Sequence, residues 1–576
     1  MPFQTLKTQL ARAIAKELAH PEITEEILVA ELGTPPNLAL GHLALPCFRM
    51  AKLFKQNPHG VAQDLCKRLS SPDWEATPAG PYANFRFRAG HLFQSTLKAV
   101  LANPETYGSD KSGANQTVLI EFCSPNIAKQ LGFHHIRTTL IGNTLSNIYS
   151  FLGFKTERIN FVGDWGSQFA RLLAAFDQWG DKSQLNSQDV PRAMAHLSEI
   201  YVRFHKDLEQ NPDRLEKASA ALKKLETGDR ETTELWKSVR ELSIGAMERT
   251  LKRMHVQFDH VDGESQYVPQ ILPMLEEVKK KAEGRLSDGA WIVEVEGYTT
   301  PALIQKRDGT TLYLTRDIAA AVERAKRFTF DRMLYVVSEQ QRLHFQLLFG
   351  VLKKMGYKWA DKCEHLSFGT VLFGHEKMST REGRIILLED ILNEAKDLAL
   401  AECAQKNPDL ANKEEVAEMV GLGAVIFGQL STHRQRDIEF NWKEILAFEG
   451  ETGPYVQYAA VRCHSLLEKA RDKGELSTEV PDTSDYTFAS EEEALILELS
   501  RFRSALLSAV RDNEPYHLSH HLIDVAKAFN RFYYRFPVLQ AAEAKPRDVR
   551  LNLVRATRQV LLNGLKLMGI LCPREM

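Results

Sequence analysis

Apolar residues at Phe3, Leu6, Leu10, Ile14 and Leu18 recur every three or four positions, which predicts an N-terminal helix with one buried face. The turn-rich "LGTPPN", a second helical stretch and the alternating "GPYANFRFR" follow, so residues 1–110 read as a small α+β unit. Residues 102–116, "ANPETYGSDKSGANQ", have the composition of a linker. Beyond it the period changes. The β-rich runs "TVLIEF", "KTERINFV", "GAWIVEV", "TLYLT" and "RMLYVV" alternate with helical stretches, which predicts a doubly wound parallel sheet over 115–430. A charged stretch of helical period at about 186–255 reads as a helical insertion outside that sheet. After Leu422 strand signals fade. Leu495, Leu499, Phe502, Leu506 and Val510 form one helical stripe, and 431–576 reads as an all-α domain.

Composition narrows the class. At 576 residues, with 44% hydrophobic and 26% charged positions, the chain is long enough for several packed cores of ordinary globular type. The charge balance, 73 − 75 = −2, provides no global field for nucleic acid. A nucleic-acid surface must therefore be local, and Lys545–Met576, with seven Arg or Lys against Asp548 and Glu575, is a candidate for phosphate contacts. Seven cysteines are scattered without a C-x-x-C pair, which argues against a disulfide framework or zinc knuckle and for a reducing cytoplasm. No run of about 18 apolar residues suggests a membrane span.

Three polar turns carry candidate chemistry. "SPNIAKQLGFHHIRTTLIGN" follows an apolar run and opens an amphipathic stretch; free N–H groups at a helix start, with Lys129, His134 and His135, suit phosphate. "FVGDWGSQF" follows a strand, and Gly163 and Gly166 allow close backbone approach, with Asp164 free to orient a ribose or a loop. "GHEKMSTREG" holds Lys377, Ser379 and Arg381 between glycines, ahead of a strand-like "RIILL". A cationic loop of this kind suits charge building on a phosphate and a leaving pyrophosphate.

Together with "YLTRDIAAA", "YVVSEQQRLHF", "FEGETGPYVQYAAVR" and the terminal "CPREM", these stretches resemble the arginyl-tRNA synthetases, a class I aminoacyl-tRNA synthetase family, over nearly the whole chain. The resemblance implies a central Rossmann-like sheet with helical insertions, an N-terminal domain that contacts the tRNA elbow, and an all-α anticodon-binding domain. It implies activation of L-arginine with ATP, magnesium arriving with the nucleotide and no protein-bound metal, and transfer to tRNA(Arg) by a cytoplasmic monomer. A guanidinium fork pairs bidentately with carboxylates. By motif, Glu264 and Asp317 would supply these, Tyr313 would border the pocket, and Asn126 and Gln341 would hold the amino-acid end. The nucleotide would meet Pro125, Gly132, Gly163, Asp164, Gly166, Gln168 and Met378, with Lys129, His134, His135, Lys377, Ser379 and Arg381 as the catalytic set. In this reading Lys129 stands in for the second lysine of the Lys377 loop, where this chain has Thr380. Tyr82 and Asn84 in the N-terminal unit, and Tyr455, Tyr458, Tyr533 and Met576 near the other end, match tRNA-contacting positions.

One departure stands out. The family has His-x-Gly-His in the first turn, and this chain has Gly132, Phe133, His134 and His135. In the family the glycine lies under the adenine ring, so His134 adds a side chain there. Two functions follow from the sequence: an active ligase with a rearranged turn, or a non-catalytic paralogue that binds tRNA or arginine.

Overall fold

The computed structural model describes residues 2–576 except 70, 128, 186–188, 374, 375, 378–385 and 478. Helix α1 (Pro2–Leu18) buries Phe3, Leu6, Leu10 and Ile14, the stripe its periodicity predicts. Helix α2 (Glu25–Glu31) starts at Thr24, whose side chain accepts from the Ile27 N–H. Strand β1 (Leu43–Pro46) and helices α3 (Phe48–Phe54) and α4 (Pro58–Arg68) lead to a hairpin of β2 (Trp74–Ala79) and β3 (Tyr82–Phe87). The three strands form an antiparallel sheet in the order β1-β3-β2. Helix α5 (Ala89–Ala102) closes this unit.

The stretch 102–116 is not a free linker. Tyr107 is buried, donates its hydroxyl to the Leu499 carbonyl at 2.9 Å and stacks on Phe502. A Cβ at Gly108 would lie 2.6 Å from the Phe502 ring, so glycine is what lets the chain pass there. Turn-forming residues were needed for close approach rather than for reach.

A five-stranded parallel sheet forms the centre. Strand β4 (Thr117–Glu121) is followed by helix α6 (Ile136–Phe151), β5 (Lys155–Val162), α7 (Ser167–Trp179), three charged helices α8 (Val190–Gln210), α9 (Arg214–Glu226) and α10 (Arg230–Arg253), and then β6 (His260–Gly263). Helix α11 (Val268–Lys281) leads to a separate antiparallel sheet of β7 (Arg285–Ser287), β8 (Ala290–Val293) and β9 (Ala302–Gln305). Helix α12 (Tyr313–Arg327), β10 (Arg332–Ser338), α13 (Arg342–Lys354) and β11 (Cys363–Phe368) complete the centre. The strand order is β11-β10-β4-β5-β6, all parallel.

Two expected strands are corrected. "GAWIVEV" supplies β8 of the small antiparallel sheet. "TLYLT" runs into α12, because Leu314, Ile318, Ala321 and Val322 bury one face at helical spacing, overriding the short alternation before them. Strands β6 and β11 escaped the sequence reading, since "HVDG" and "CEHLSF" lack a β-branched run.

Short strands β12 (Val371–Phe373), β13 (Glu376–Lys377) and β14 (Ile438–Glu439) pair beside the sheet, around helices α14 (Leu388–Lys406) and α15 (Lys413–Leu430). The remainder is helical: α16 (Trp442–Ile445), α17 (Gly453–Asp472), α18 (Ser490–Asp512), α19 (Tyr516–Arg535) and α20 (Ala544–Leu567). Leu495, Leu499, Phe502 and Leu506 of α18 are fully buried. Part of the basic character of α20 is spent internally. Arg550 pairs with Glu492 at 3.0 Å, Arg547 with Glu475 at 3.5 Å, and Lys545 with Asp485. These three pairs fasten α20 to its neighbours, while Lys566 and Arg574 of the same basic stretch are exposed.

Candidate active site

Strands β4 and β10 are neighbours, yet the chain leaves β4 toward β5 and leaves β10 toward β11. The sheet therefore opens a crevice beyond their carboxyl ends, where ligands bind in sheets of this type. A cleft of about 580 Å³ lies there. It is lined by Asn126, His134, His135, Glu264, Tyr313, Asp317 and Gln341, all singled out from the sequence.

The floor is built on strained backbone. Cys123 and Ser124 leave β4 with φ of +71° and +46°, a region that residues with side chains seldom adopt. Three bonds hold them there. The Cys123 N–H donates to Thr138 Oγ1 at 3.0 Å, Thr138 Oγ1 donates to the Val336 carbonyl of β10 at 2.7 Å, and the Ser124 N–H donates to Asn160 Oδ1 at 3.1 Å. The next residues pair with the turn after β5: the Gly163 N–H donates to the Pro125 carbonyl, and the Ile127 N–H to the Gly163 carbonyl. A Cβ at Gly163 would stand 2.1 Å from Asn126 Oδ1, so glycine there is what admits Asn126 to the cleft.

Each carboxylate of the cleft already faces a cation or imidazole of the protein. Glu264, with its side chain 11% exposed, accepts from Arg316 Nη1 at 3.1 Å. Arg316 in turn lies over the Tyr313 ring at 5.4 Å. Asp317 Oδ2 is 2.6 Å from His344 Nε2. At the floor, buried Glu121 pairs with buried Arg324, whose guanidinium also covers the Phe161 ring. Burial works against the Arg324 charge, but Glu121 and Asp262 among its neighbours outweigh it and keep this arginine ionised. Burial pushes Glu264 up to about 7, helped by Asp317 and Asp164 against the pull of Arg316. Arg316, Arg324 and His344 were not singled out from the sequence, although Arg316 and His344 stand inside the quoted "YLTRD" and "RLHF". Their partners are distant in sequence, which local pattern does not reveal.

Arginine binding is expected to release a proton. At pH 6 Glu264 is mostly protonated, and pairing with a guanidinium requires the carboxylate. The apparent affinity should rise with pH between about 5 and 7, by at most tenfold per unit. Calorimetry in buffers of different ionisation enthalpy measures the proton count; binding independent of pH would refute it.

The altered turn is firmly seated. Gly132 pairs antiparallel with Leu387, the Phe133 N–H donates to the Ile386 carbonyl at 2.9 Å, and the Leu388 N–H to the Leu131 carbonyl at 2.8 Å. Phe133 is fully buried against Phe440. Ile386–Leu388 of the "RIILL" segment thus dock on this turn, Leu388 already begins α14, and residues 384 and 385 lie outside the described residues. His134 and His135 stand with ring centres 3.9 Å apart on the cleft wall. His135 Nδ1 lies 3.1 Å from the Gly132 carbonyl, which can only accept, so the ring proton sits on Nδ1. Burial and the neighbouring His134 push His135 down to about 3, leaving its Nε2 a lone pair at neutral pH. Burial also lowers His134, with a smaller push from Lys129.

Other expected residues lie elsewhere. Asp164 is fully buried, and its carboxylate accepts from the Ser265 N–H at 2.8 Å, Ser265 Oγ at 2.7 Å and Arg240 Nε at 2.8 Å. It therefore orients the loops after β5 and β6, which corrects the expectation of a direct contact with nucleotide. Gly166 starts α7 with φ +93°, and a Cβ there would come 3.0 Å from Arg316 Nη1. Pro125, Gly132 and Gln168 do not line the cavity. Lys129 also stays outside it, with its ammonium over the Tyr201 ring. Lys377 lies in β13, and Met378, Ser379 and Arg381 lie outside the described residues.

The expected tRNA contacts divide by exposure. Tyr82 is exposed and packs edge-on against exposed Phe48. Asn84 is buried in the middle strand β3, between Ala44 and Thr77, so it is corrected to a structural residue. Tyr458 is exposed, and Arg462 is sandwiched between its ring and that of Tyr533, at 4.7 and 4.8 Å. Tyr455 is half-buried beside the cationic Lys527 and Arg531, and Met576 packs against the core of α14 and α15. Tyr534, missed from the sequence, is 92% exposed.

With this geometry in place, comparison with known proteins is direct. Residues 96–442 match the model of the class I (R) tRNA synthetase catalytic domain, residues 456–576 the DALR anticodon binding domain, and residues 4–87 the arginyl tRNA synthetase N terminal domain. The sheet and its crevice are thus those of a class I aminoacyl-tRNA synthetase. An arginine–tRNA ligase from Clostridioides difficile is 40% identical over 580 residues, covering 100% of both chains. One from Halothermothrix orenii is 39% identical over 99% of both. The arginyl-tRNA synthetase of Thermus thermophilus superposes over all of both chains with a TM-score of 0.81 at 27% identity. The chain belongs to the arginyl-tRNA synthetase family.

Proposed function

We propose that this chain joins L-arginine to tRNA(Arg) in two steps carried out in the cleft beyond β4 and β10. Convergence of Asn126, Glu264, Tyr313, Asp317 and Gln341 beside His134 and His135, from four separate stretches of sequence, carries this reading. Glu264 and Asp317 take the substrate guanidinium, with Tyr313 as a planar wall. Asn126 and Gln341 orient the α-amino and carboxylate groups. An arginine carboxylate oxygen attacks the α-phosphorus of ATP, and the bond to the β,γ-diphosphate breaks to release pyrophosphate. A hydroxyl of the terminal tRNA ribose then attacks the activated carbonyl and AMP leaves. Magnesium enters as part of the nucleotide substrate. His135 Nε2 must gain a proton before it can donate to a phosphate oxygen, and Lys129 with the Lys377 loop supplies the remaining positive charge.

The N-terminal unit, with Tyr82 at its surface, holds the tRNA elbow, and the helices around Tyr455, Tyr458, Tyr533 and Met576 hold the anticodon, in a cytoplasmic monomer. Single-stranded loops are read by stacking on aromatic rings. Tyr458→Ala should therefore raise the KM for tRNA by about tenfold or more with little change in the KM for arginine. The decisive test of the whole reading is aminoacylation of total tRNA with labelled arginine. Stable ester formation is expected; tRNA binding without any adenylate formation would favour the non-catalytic reading.

A further inference from the structure

The Lys129 ammonium stands 4.4 Å from the centre of the Tyr201 ring, on helix α8 of the insertion. Tyr201 is 8% exposed and its ring leans on His205, so the platform is held by packing. No carboxylate among the described residues pairs with Lys129. The charge acting on it is of like sign, from Arg171, while its own charge is felt by His134 on the cleft wall and by His205 on α8. Lys129 therefore sits between the cleft and the insertion, with the Tyr201 face rather than a carboxylate as its partner among the described residues.

We propose that Tyr201 is a positioning residue that parks Lys129 outside the cleft in the ligand-free protein and yields it to the α-phosphate when ATP binds. The inference rests on the catalytic reading of Lys129 given above. An acidic partner would hold the ammonium strongly and cancel the charge needed at the phosphate. An aromatic face holds it weakly and leaves that charge whole. The flexible four-carbon stem lets the ammonium swing between the two positions. Only the cleft-facing fraction is competent, so apparent ATP affinity falls by that fraction.

The test uses the full chain and arginine-dependent ATP–pyrophosphate exchange with tRNA present. Tyr201→Leu should lower the KM for ATP by about three- to tenfold, while Tyr201→Phe, which keeps the ring, should match wild type. In a Lys129→Met background the Leu change should have no effect. An equal shift in that background, or no shift with Lys129 present, overturns the proposal while leaving the lysine's catalytic role intact. Wild-type exchange by Lys129→Met alone overturns that role and the proposal with it. A measurement independent of the Leu variant's folding is available in ¹³C-lysine-labelled protein. The Lys129 ε-methylene resonance should be displaced upfield by the ring current and should move back on addition of ATP and magnesium. A resonance at the ordinary position, or one that ATP leaves displaced, overturns the proposal.

Discussion

Glu264→Gln is expected to abolish arginine activation and at the same time to make the ligand-free protein more stable above neutral pH. Activity falls because the substrate guanidinium loses a largely buried carboxylate partner. Breaking such a pair costs roughly 3–5 kcal/mol, so kcat/KM for arginine should drop by about 10²–10³-fold or more. Stability moves the other way. The folded protein holds the Glu264 proton up to about pH 7, above the ordinary 4.5, because burial and the neighbouring Asp317 and Asp164 oppose the charge. Between those values the folded state binds more protons than the unfolded state, so wild-type stability decreases as pH rises through this window. Glutamine resembles the neutral acid and still accepts from Arg316. The variant should gain ~1–3 kcal/mol over wild type at pH 8 and nothing near pH 4. Thermal melts at both pH values test the sign, and a variant less stable than wild type at pH 8 would contradict it.

Arg324→Met is expected to damage the cleft from below. Glu121 and Arg324 are 6% and 1% exposed, and Arg324 reaches toward Asp262 while covering Phe161. Asp262 keeps Arg327 at 3.0 Å and the Tyr267 hydroxyl at 3.0 Å, but Glu121 loses its only paired cation among the described residues. Removing one partner of a buried pair costs about 3–5 kcal/mol, and protonation of Glu121 relieves part of it. The melting temperature should fall by roughly 2–5 °C at neutral pH, with a smaller deficit in acid. The double replacement of Glu121 and Arg324 by methionine should recover most of the loss; a double variant as weak as the single one would show that the charge pair is not the cause.

The two predictions differ in how far the sequence foreshadows them. Glu264 and Asp317, both on the cleft wall, were legible through the motifs around them, "DGESQ" and "YLTRD", whose resemblance to the family marked both carboxylates. Nothing local shows that Arg316 already occupies Glu264, or that Asp164 is consumed by Ser265 and Arg240. Those partners are brought together by β5, β6, α10 and α12, and a hydrogen bond depends on distance in space rather than along the chain. The same limit explains Asn84, which alternates like a surface residue yet lies in a middle strand, and Lys545, Arg547 and Arg550 of α20, whose counter-charges Asp485, Glu475 and Glu492 lie elsewhere in the chain.

The sequence by itself determined the class of fold, the helical stripes, the family and the polar residues of the cleft, because periodicity and motif order are one-dimensional properties. Only the tertiary structure decided how charge is distributed among those residues. It placed His134 beside His135 on the cleft wall, anchored the unusual Gly132–Phe133 turn on Ile386–Leu388, and set Lys129 against Tyr201. Each outcome follows from burial and from which groups come within bonding distance, and both are products of packing that no single stretch of chain contains.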